Sequence, residues 1–214
     1  MKTIFIYTFV LGLFFSGCTA SMNTIAEEQF RDDSFSIDSV DEYGIALLPI
    51  TGSNQTFNSV VAIAANDVLQ SYEFNNYVGY RQVSNDLNSE NLVGEYQEMI
   101  HNYQTSGIAD NTKLREIGEA TGTRYLLKIE IGSLNREANT ETEYFDGSVR
   151  TWEEKDVRIY GLLWDASTGN VAWEGASTAG ASESEFTEIR QLDNEFYQAA
   201  TAELIHQLLS PNSY

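Results

Sequence analysis

The amino-acid sequence predicts a single α/β domain in which helices pack on a mixed β-sheet. Three observations predict this class. An apolar run at residues 44–50 is typical of an inner strand that is covered on both faces. Segments with apolar residues at helical spacing follow it and alternate with strand patterns. A hairpin signal and a closing amphipathic segment come last, so the expected order is βαβααβ, then antiparallel strands, then a helix.

The first 17 residues have the order of a secretory signal. Lys2 gives a positive start, an uncharged apolar run occupies residues 4–15, and the small residues Ser16 and Gly17 end it. The run is shorter than the roughly 20 residues that a permanent membrane-spanning helix needs. We therefore expect residues 1–17 to be a signal peptide that takes no part in the fold.

Cys18, the only cysteine in the chain, directly follows this signal. The stretch Phe15-Ser16-Gly17-Cys18 resembles the lipobox of bacterial lipoproteins. That resemblance implies cleavage after Gly17, a diacylglycerol on the Cys18 sulfur and a fatty acid such as palmitate on its new amino group, which together anchor a protein stably. Thr19 stands where an Asp would often retain such a protein in the inner membrane, so the resemblance implies the periplasmic face of the outer membrane. An ordinary secreted protein is the alternative.

The composition excludes one class of partner. The chain has 32 acidic and 12 basic residues and a formal net charge of −20, which repels nucleic acid and supplies no basic patch for phosphate. The acidic residues are spread along the chain, so they favour solubility in a salty environment over attraction to a basic partner, which stays open as the alternative. Once Cys18 carries lipid, no thiol is left for a disulfide or a metal site.

Residues 18–43 are predicted to be the lipidated cysteine and a flexible tether, because polar residues interrupt isolated apolar ones. The alternative is that residues 30–40 form an edge strand or dock on the domain. The predicted periplasmic domain therefore covers residues 44–210. It begins with the strand at 44–50, where Pro49 lies near the exit and its missing N–H is tolerated.

The next elements alternate between helix and strand. Helical spacing predicts a helix at residues 57–72, and residues 77–83 are predicted to be a strand. Asn88 or Ser89 is expected to cap a second helix.

A third helix is expected to start at Asn111 or Thr112 and to end at Gly122, which can adopt a left-handed cap. Alternation at residues 125–131 then predicts a strand with one buried face. Residues 157–164 are predicted to be a further strand.

The last elements are a hairpin and a helix. Asp165 can bond the N–H groups of the following turn and Gly169 can adopt a positive φ, so residues 165–169 are predicted to join two antiparallel strands. Apolar residues at helical spacing over 189–208 predict an amphipathic helix that ends before Pro211.

A second resemblance covers about residues 44–209. The strand at 45–50, the stretch at 113–127 that runs into a strand, and the late Leu-Trp-Asp-Ala-Ser-Thr-Gly-Asn-Val-Ala-Trp hairpin resemble the periplasmic lipoproteins that include the curli-secretion channel and the penicillin-binding-protein activator. The TolB amino-terminal domain is distantly similar. The resemblance implies a non-enzymatic role in envelope assembly, secretion or regulation. The charged segment 136–156, with Asp146-Gly147 as a hairpin turn, lacks the apolar stripe of a pore strand, which favours the activator over the channel.

Enzyme signatures are weak in this sequence. His101 and His206 are far apart and have no metal-ligand spacing, and neither GxSxG nor a phosphate-binding glycine motif occurs. Glu153-Glu154 and Asp32-Asp33 are adjacent pairs, which point to opposite faces of a strand. We therefore expect no catalytic residue, no cofactor and no metal.

Aromatic residues give the candidate interface. Trp152, Tyr144 and Phe145 lie in the charged segment and are candidates for contact with another protein, whereas Trp164 and Trp173 are expected to pack in the core. Two hypotheses follow. The chain is a membrane-anchored adaptor, assembly factor or activator of an unidentified envelope protein, or alternatively an oligomeric subunit of an outer-membrane secretion apparatus.

Overall fold

A computed structural model describes residues 22–50, 54–142, 149–184 and 193–210, with side chains for all of these except 138–142, 149–153, 182–184 and 193. Six strands and six helices occur in these ranges. The strands are β1 (Asn23–Arg31), β2 (Ile45–Leu47), β3 (Tyr77–Val78), β4 (Tyr125–Thr142), β5 (Val149–Asp165) and β6 (Asn170–Ser184). The helices are α1 (Ile37–Tyr43), α2 (Gln55–Ser71), α3 (Tyr80–Ser89), α4 (Val93–Ser106), α5 (Asn111–Thr121) and α6 (Asp193–Leu209).

All six strands belong to one open, mixed sheet in the order β1-β6-β5-β4-β2-β3. β2 pairs in parallel with β3 and β4, whereas the pairs β4–β5, β5–β6 and β6–β1 are antiparallel. The mixed α/β class predicted from the sequence is confirmed.

Helices cover the sheet on both sides. Ile45 and Leu47 of β2 pack in one core with α1, α2 and α6. Ala46 and Leu48 point the other way and pack in a second core with α3, α4 and α5. All four side chains are fully buried, which confirms the prediction of an inner strand and gives a three-layer arrangement.

β4 differs from its prediction in two ways. Leu126 and Lys128 are buried as well as Leu127 and Ile129, so the prediction of a single buried face is wrong, because α4 and α5 cover the second face. β4 and β5 are also far longer than predicted and remain paired as far as Thr142 opposite Val149. The charged segment 136–156 therefore contributes the extended ends of these two strands, while the turn predicted at 146–147 lies outside the described residues.

The tether prediction is wrong for residues 23–43. β1 pairs with β6 along its length, and α1 follows with Ser36 as its N-cap, whose Oγ accepts a hydrogen bond from the Ser39 N–H at 3.2 Å. Val40 is fully buried. The isolated apolar residues that suggested a tether are spaced for an edge strand and a short helix, so the alternative of an edge strand and docking is the correct one.

Arg31 joins this amino-terminal segment to the last helix. Its Nη2 donates to the carbonyl oxygens of Gln207 at 3.2 Å and Leu208 at 3.1 Å, and its Nε donates to Glu28 Oε2 at 2.8 Å. The final carbonyls of a helix have no partner within the helix, so the guanidinium satisfies groups at the end of α6 that would otherwise need water.

The helices after β2 are partly as predicted. α2 lies within two residues of the predicted helix, but the strand predicted at 77–83 is only Tyr77–Val78. Gly79 is the N-cap of α3, in which Val83 and Leu87, four residues apart, are both buried. Asn88 and Ser89 end α3 and do not cap the next helix.

The caps and the hairpin in the second half are mostly as predicted. Asp110, not Asn111 or Thr112, caps α5 by accepting from two backbone N–H groups. Gly122 adopts the predicted left-handed conformation, with φ of 66°. The Gly169 N–H donates to the Asp165 carbonyl at 2.7 Å, which closes the predicted hairpin.

The closing helix is confirmed over Asp193–Leu209. Its buried side chains recur at helical spacing: Phe196, Ala200, Leu204 and Leu208. The predicted members at positions 189 and 192, and Pro211, lie outside the described residues.

Candidate interaction surface

The structure leaves most of the predicted functional residues untested. Four of them lie outside the described residues: Gly17, Cys18, Tyr144 and Phe145. Trp152 is described by its backbone alone, which pairs with Asn139 on one side and Ser184 on the other. Lipidation at Cys18 and the aromatic interface stay predictions.

The other two tryptophans pack in the core as predicted. Trp173 is fully buried and its Nε1 donates to Glu28 Oε2 at 2.9 Å. Trp164 is 1% exposed and meets Tyr103 edge to face, with ring centroids 5.1 Å apart. Neither side chain is available for binding at the surface.

The histidines lie on different helices and do not form a site together. His206 Nδ1 is 2.9 Å from the Tyr72 hydroxyl oxygen, whereas His101 is exposed on α4. Within the described ranges, no three His, Cys, Asp or Glu side chains are grouped as metal ligands.

One half of the sheet is open on the side that carries α3, α4 and α5. These helices pack over β2 and β4 and reach Trp164 and Leu162 at one end of β5. Beyond them, three rows of side chains cross β1, β6 and β5. The rows are Phe30, Glu174 and Leu162; Glu27, Ala176 and Tyr160; and Ile25, Thr178 and Arg158. We call this surface the open face.

The open face carries exposed apolar side chains among its charged ones. Ile25 is 64% exposed, Phe30 is 45% exposed and Tyr160 is 39% exposed. These three are half of the six large hydrophobic side chains that are exposed in the described part of the chain. A cluster of exposed apolar side chains bordered by charged ones is typical of a binding surface.

A β-bulge places Phe30 on the open face. The register of β1 against β6 shifts between Glu28 and Phe30, so that Gln29 is the extra residue. Strict alternation would have turned Phe30 toward α6 and Arg31 toward solvent. Because of the bulge, Arg31 reaches the end of α6 and Phe30 faces outward.

The charges of the open face and its border are partly neutralised. The Lys128 ammonium pairs with the Glu130 carboxylate and lies 5.8 Å from the centre of the Tyr103 ring. Arg158 Nη2 lies 3.7 Å from Glu27 Oε2.

Glu174 differs from these groups, because it makes no hydrogen bond or ion pair with any residue that the structure describes. It lines a pocket of about 230 Å³ together with Tyr103, Tyr160 and the Lys128–Glu130 pair. Burial raises the pKa of the Tyr103 hydroxyl, and the nearby carboxylates of Glu174 and Glu130 raise this pKa further. Aromatic walls beside unneutralised carboxylate charge suit a cationic group.

A second pocket, of about 400 Å³, lies beside the Arg124–Asp165 ion pair. Arg124 Nε and Nη2 donate to the two carboxylate oxygens of Asp165 at 2.9 and 2.6 Å, and the guanidinium lies 5.0 Å from the centre of the Tyr43 ring. Asp165 also accepts from the Ser167 N–H at 2.9 Å. These contacts tie the ends of α1, β4 and β5 together, so the pair has a structural role.

The open face was missed from the sequence because its parts are distant in the chain. Ile25 and Phe30 fell in the predicted tether, and Glu174 follows a tryptophan that was assigned to the core. A usable indication was present in β5, where Arg158 and Tyr160 alternate with buried Val157 and Ile159. That alternation indicates a strand with one face in solvent.

Within the ranges that the structure covers, none of the helices combines the length and the apolar character needed to cross a bilayer.

Comparison with known proteins identifies no family for this chain. No family model matches it and no curated protein matches it. Among solved structures, it is similar to the PelC dodecamer from Paraburkholderia phytofirmans, with 12% identity, a TM-score of 0.44, and coverage of 89% of this chain and 100% of that one. Lipoprotein GNA1162 from Neisseria meningitidis has 12% identity and a TM-score of 0.36, over 77% of this chain and 96% of that one.

The LpoB C-terminal domain from Salmonella enterica is also similar, with 15% identity and a TM-score of 0.38, over 68% of this chain and 85% of that one. All three TM-scores lie below 0.5. The resemblance to the activator and channel lipoproteins stays a prediction.

Proposed function

We propose that this chain is a lipid-anchored protein on the periplasmic face of the outer membrane that acts without catalysis, as an adaptor, assembly factor or activator of another envelope protein. The observation that carries this proposal is the position of β1. It begins at Asn23, five positions after Cys18 in the lipobox-like sequence, and it forms one border of the open face.

The short distance from Cys18 to β1 restricts the domain. Five residues span at most about 17 Å when fully extended. A lipid on Cys18 would therefore hold the edge of the sheet close to the bilayer surface, without the freely moving linker expected from the sequence. The binding surface of such a protein is presented to partners that are themselves in or near that membrane.

The chemistry of the open face supports binding. It combines exposed apolar side chains such as Ile25 and Phe30 with the Glu174 carboxylate, which has no partner among the described residues. Aromatic side chains are enriched in the buried centres of protein interfaces.

Labelling with radioactive palmitate and fractionation of membranes test the anchor. We expect the wild-type chain to incorporate label and to sediment with the outer membrane, and Cys18→Ala to lose both properties. Thr19→Asp is the matched control, because it should keep the label and move the protein to the inner membrane. Label retained by Cys18→Ala would refute the anchor.

The role of adaptor is tested by cross-linking in intact cells followed by mass spectrometry. We expect the amount of one cross-linked envelope protein to rise with the amount of this chain in the cell. This cross-linked product should be lost when Ile25 and Glu174 are both replaced. Incubation with purified peptidoglycan is expected to yield no fragments, and release of fragments would overturn the non-enzymatic role.

The alternative of an oligomeric secretion subunit is favoured by one observation. β1 is an edge strand of nine residues, and β6 is the only strand that pairs with it in the described part of the chain. An open edge can accept a strand from another subunit. Light scattering of the detergent-solubilised protein separates the two roles, because an assembly of many copies excludes a simple adaptor and a monomer or dimer excludes a ring.

A further inference from the structure

The middle strand of the open face carries small side chains between the larger ones of its two neighbours, and we call the strip along it the groove. β6 contributes only small side chains along most of its length on this face, namely Ala176, Thr178 and Gly180. Larger side chains stand on both sides, with Ile25 on β1 and Tyr160 on β5. The groove runs along β6 and ends at Glu174, beside the pocket of about 230 Å³.

We propose that this groove binds a basic amphipathic helix of the envelope partner, and that a Lys or Arg side chain of that helix enters the pocket at Glu174. This inference rests on the adaptor role proposed above and names the chemistry of the partner.

The dimensions of the groove fit one helix. The bordering strands β1 and β5 are two spacings of about 4.8 Å apart, or about 10 Å, so a helix with a diameter of about 10 to 12 Å would rest on the side chains of both strands. From the row of Phe30 to the row of Asn23 the groove is about 20 Å long, which corresponds to roughly 13 helical residues. Since α3, α4 and α5 already form a layer on the same side of the sheet, a bound helix would continue this layer over β1, β6 and β5.

The groove offers an apolar helix face suitable contacts. Ile25, Phe30 and Tyr160 are the exposed apolar groups, whereas Ala176 is only 2% exposed because neighbouring side chains already cover it.

The charge at the end of the groove selects the partner. Lys128 and Arg158 are already paired with Glu130 and Glu27, so the Glu174 carboxylate has no hydrogen-bond or ion-pair partner among the residues that the structure describes. The Tyr103 and Tyr160 rings border the same pocket and favour a cation over an anion. A second copy of this chain would bring the same carboxylates together and has a net charge of −20, so it is disfavoured as the occupant.

Fluorescence anisotropy with a defined probe tests the groove. The probe is a 14-residue peptide of Leu and Lys at amphipathic helical spacing with an amino-terminal fluorescein, titrated with the full lipidated chain in phosphatidylcholine nanodiscs at physiological salt. Empty nanodiscs serve as the blank. We expect saturable binding of this peptide, and at least tenfold weaker binding of a peptide with Glu in place of Lys or with the same residues in scrambled order.

Two pairs of variants locate the binding. Ile25→Ser and Glu174→Gln are each expected to weaken binding at least tenfold, whereas Ile108→Ser and Glu116→Gln, which change exposed residues elsewhere, should leave it within twofold. Hydrogen exchange on the complex gives a second measurement, with protection expected in β1 and in β6 near Ala176.

Equal weakening by the two pairs, or protection confined to other elements, would overturn the proposal. A sedimentation coefficient that falls on Ile25→Ser would instead identify a second copy as the occupant, and would also overturn it. These measurements report on the groove alone. The labelling of Cys18 described above reports on the anchor, so a failure of one is distinguishable from a failure of the other.

Discussion

Arg31 Nη2 donates to the carbonyl oxygen of Leu208 at 3.1 Å, which joins the first strand of the sheet to the last turn of the closing helix. The side chain of Arg31 is only 8% exposed, and Glu28 balances its charge. A basic residue in a segment expected to be a tether therefore fixes both ends of the described chain to each other.

We expect Arg31→Ala to lower the free energy of unfolding by about 2 to 3 kcal/mol, because hydrogen bonds from a charged donor are lost and the carboxylate of Glu28 loses its partner. Urea denaturation followed by tryptophan fluorescence measures the change. Arg81→Ala, at an exposed position of α3, is the control and should change stability by less than about 0.5 kcal/mol. Equal losses in the two variants would show that the contact with α6 contributes nothing.

Removal of the residues before Gly44 tests whether the amino-terminal segment belongs to the domain. Such a chain loses β1 and the fully buried Val40, and it exposes Trp173 and the groove of β6. We expect it to be unfolded or to aggregate. A chain that starts at Met22 should give a cooperative thermal transition. If the chain without the residues before Gly44 unfolded at the same temperature, the amino-terminal segment would be a tether after all.

Replacing either of two glycines by alanine tests the effect of backbone conformation without the effect of packing. A Cβ at Gly122 or at Gly94 would meet no atom within 4 Å, but only Gly122 has a positive φ, of 66°. We expect Gly122→Ala to destabilise the protein by about 1 to 2 kcal/mol and Gly94→Ala, within α4, to stabilise it by about 0.5 to 1 kcal/mol. Opposite shifts of the urea midpoint are the expected result, and shifts of the same sign contradict it.

The Asp165 carboxyl should make stability depend on acidity. Burial alone would raise the pKa of this group, but the hydrogen bonds from Arg124 and Ser167 outweigh burial and hold the pKa below its ordinary value of 3.8. Because the folded pKa is the lower one, the stabilisation is complete above the unfolded value and is lost as pH falls through the folded pKa.

We therefore expect the free energy of unfolding of the wild type to fall more steeply below pH 4 than that of Asp165→Asn, measured by urea denaturation at a series of pH values. Asp33→Asn, at an exposed position, should retain the steep dependence. Parallel curves for the wild type and Asp165→Asn would show that the ion pair does not respond to acid in this way.

The sequence predicted those parts of the fold in which local pattern and tertiary environment agree. The inner strand β2, the helix α2 and the hairpin at Asp165 are of this kind, because apolar spacing, a cap or a turn residue identifies each one locally. β1 was missed because an edge strand with one open face carries few apolar residues, and its pairing with β6 joins positions about 150 residues apart.

The surface was harder to predict than the fold. The open face needs Ile25, Glu174 and Tyr160 together, and only the sheet order brings these residues to one side. The bulge in β1 decides whether Phe30 or Arg31 faces outward, and no local pattern marks that shift in register.

The long strands β4 and β5 restrict how the domain can stand on a membrane. Asn23, Gly180, Asp156 and Asn135 lie in one row, and β4 continues past this row for seven residues to Thr142, a distance of about 23 Å along the strand. A lipid on Cys18 would lie within about 17 Å of Asn23. An upright sheet with that row facing the bilayer would bring the ends of β4 and β5 into the head groups. We therefore expect an anchored domain to lean, because the strands extend about 23 Å beyond the row and the segment from Cys18 to Asn23 spans at most about 17 Å.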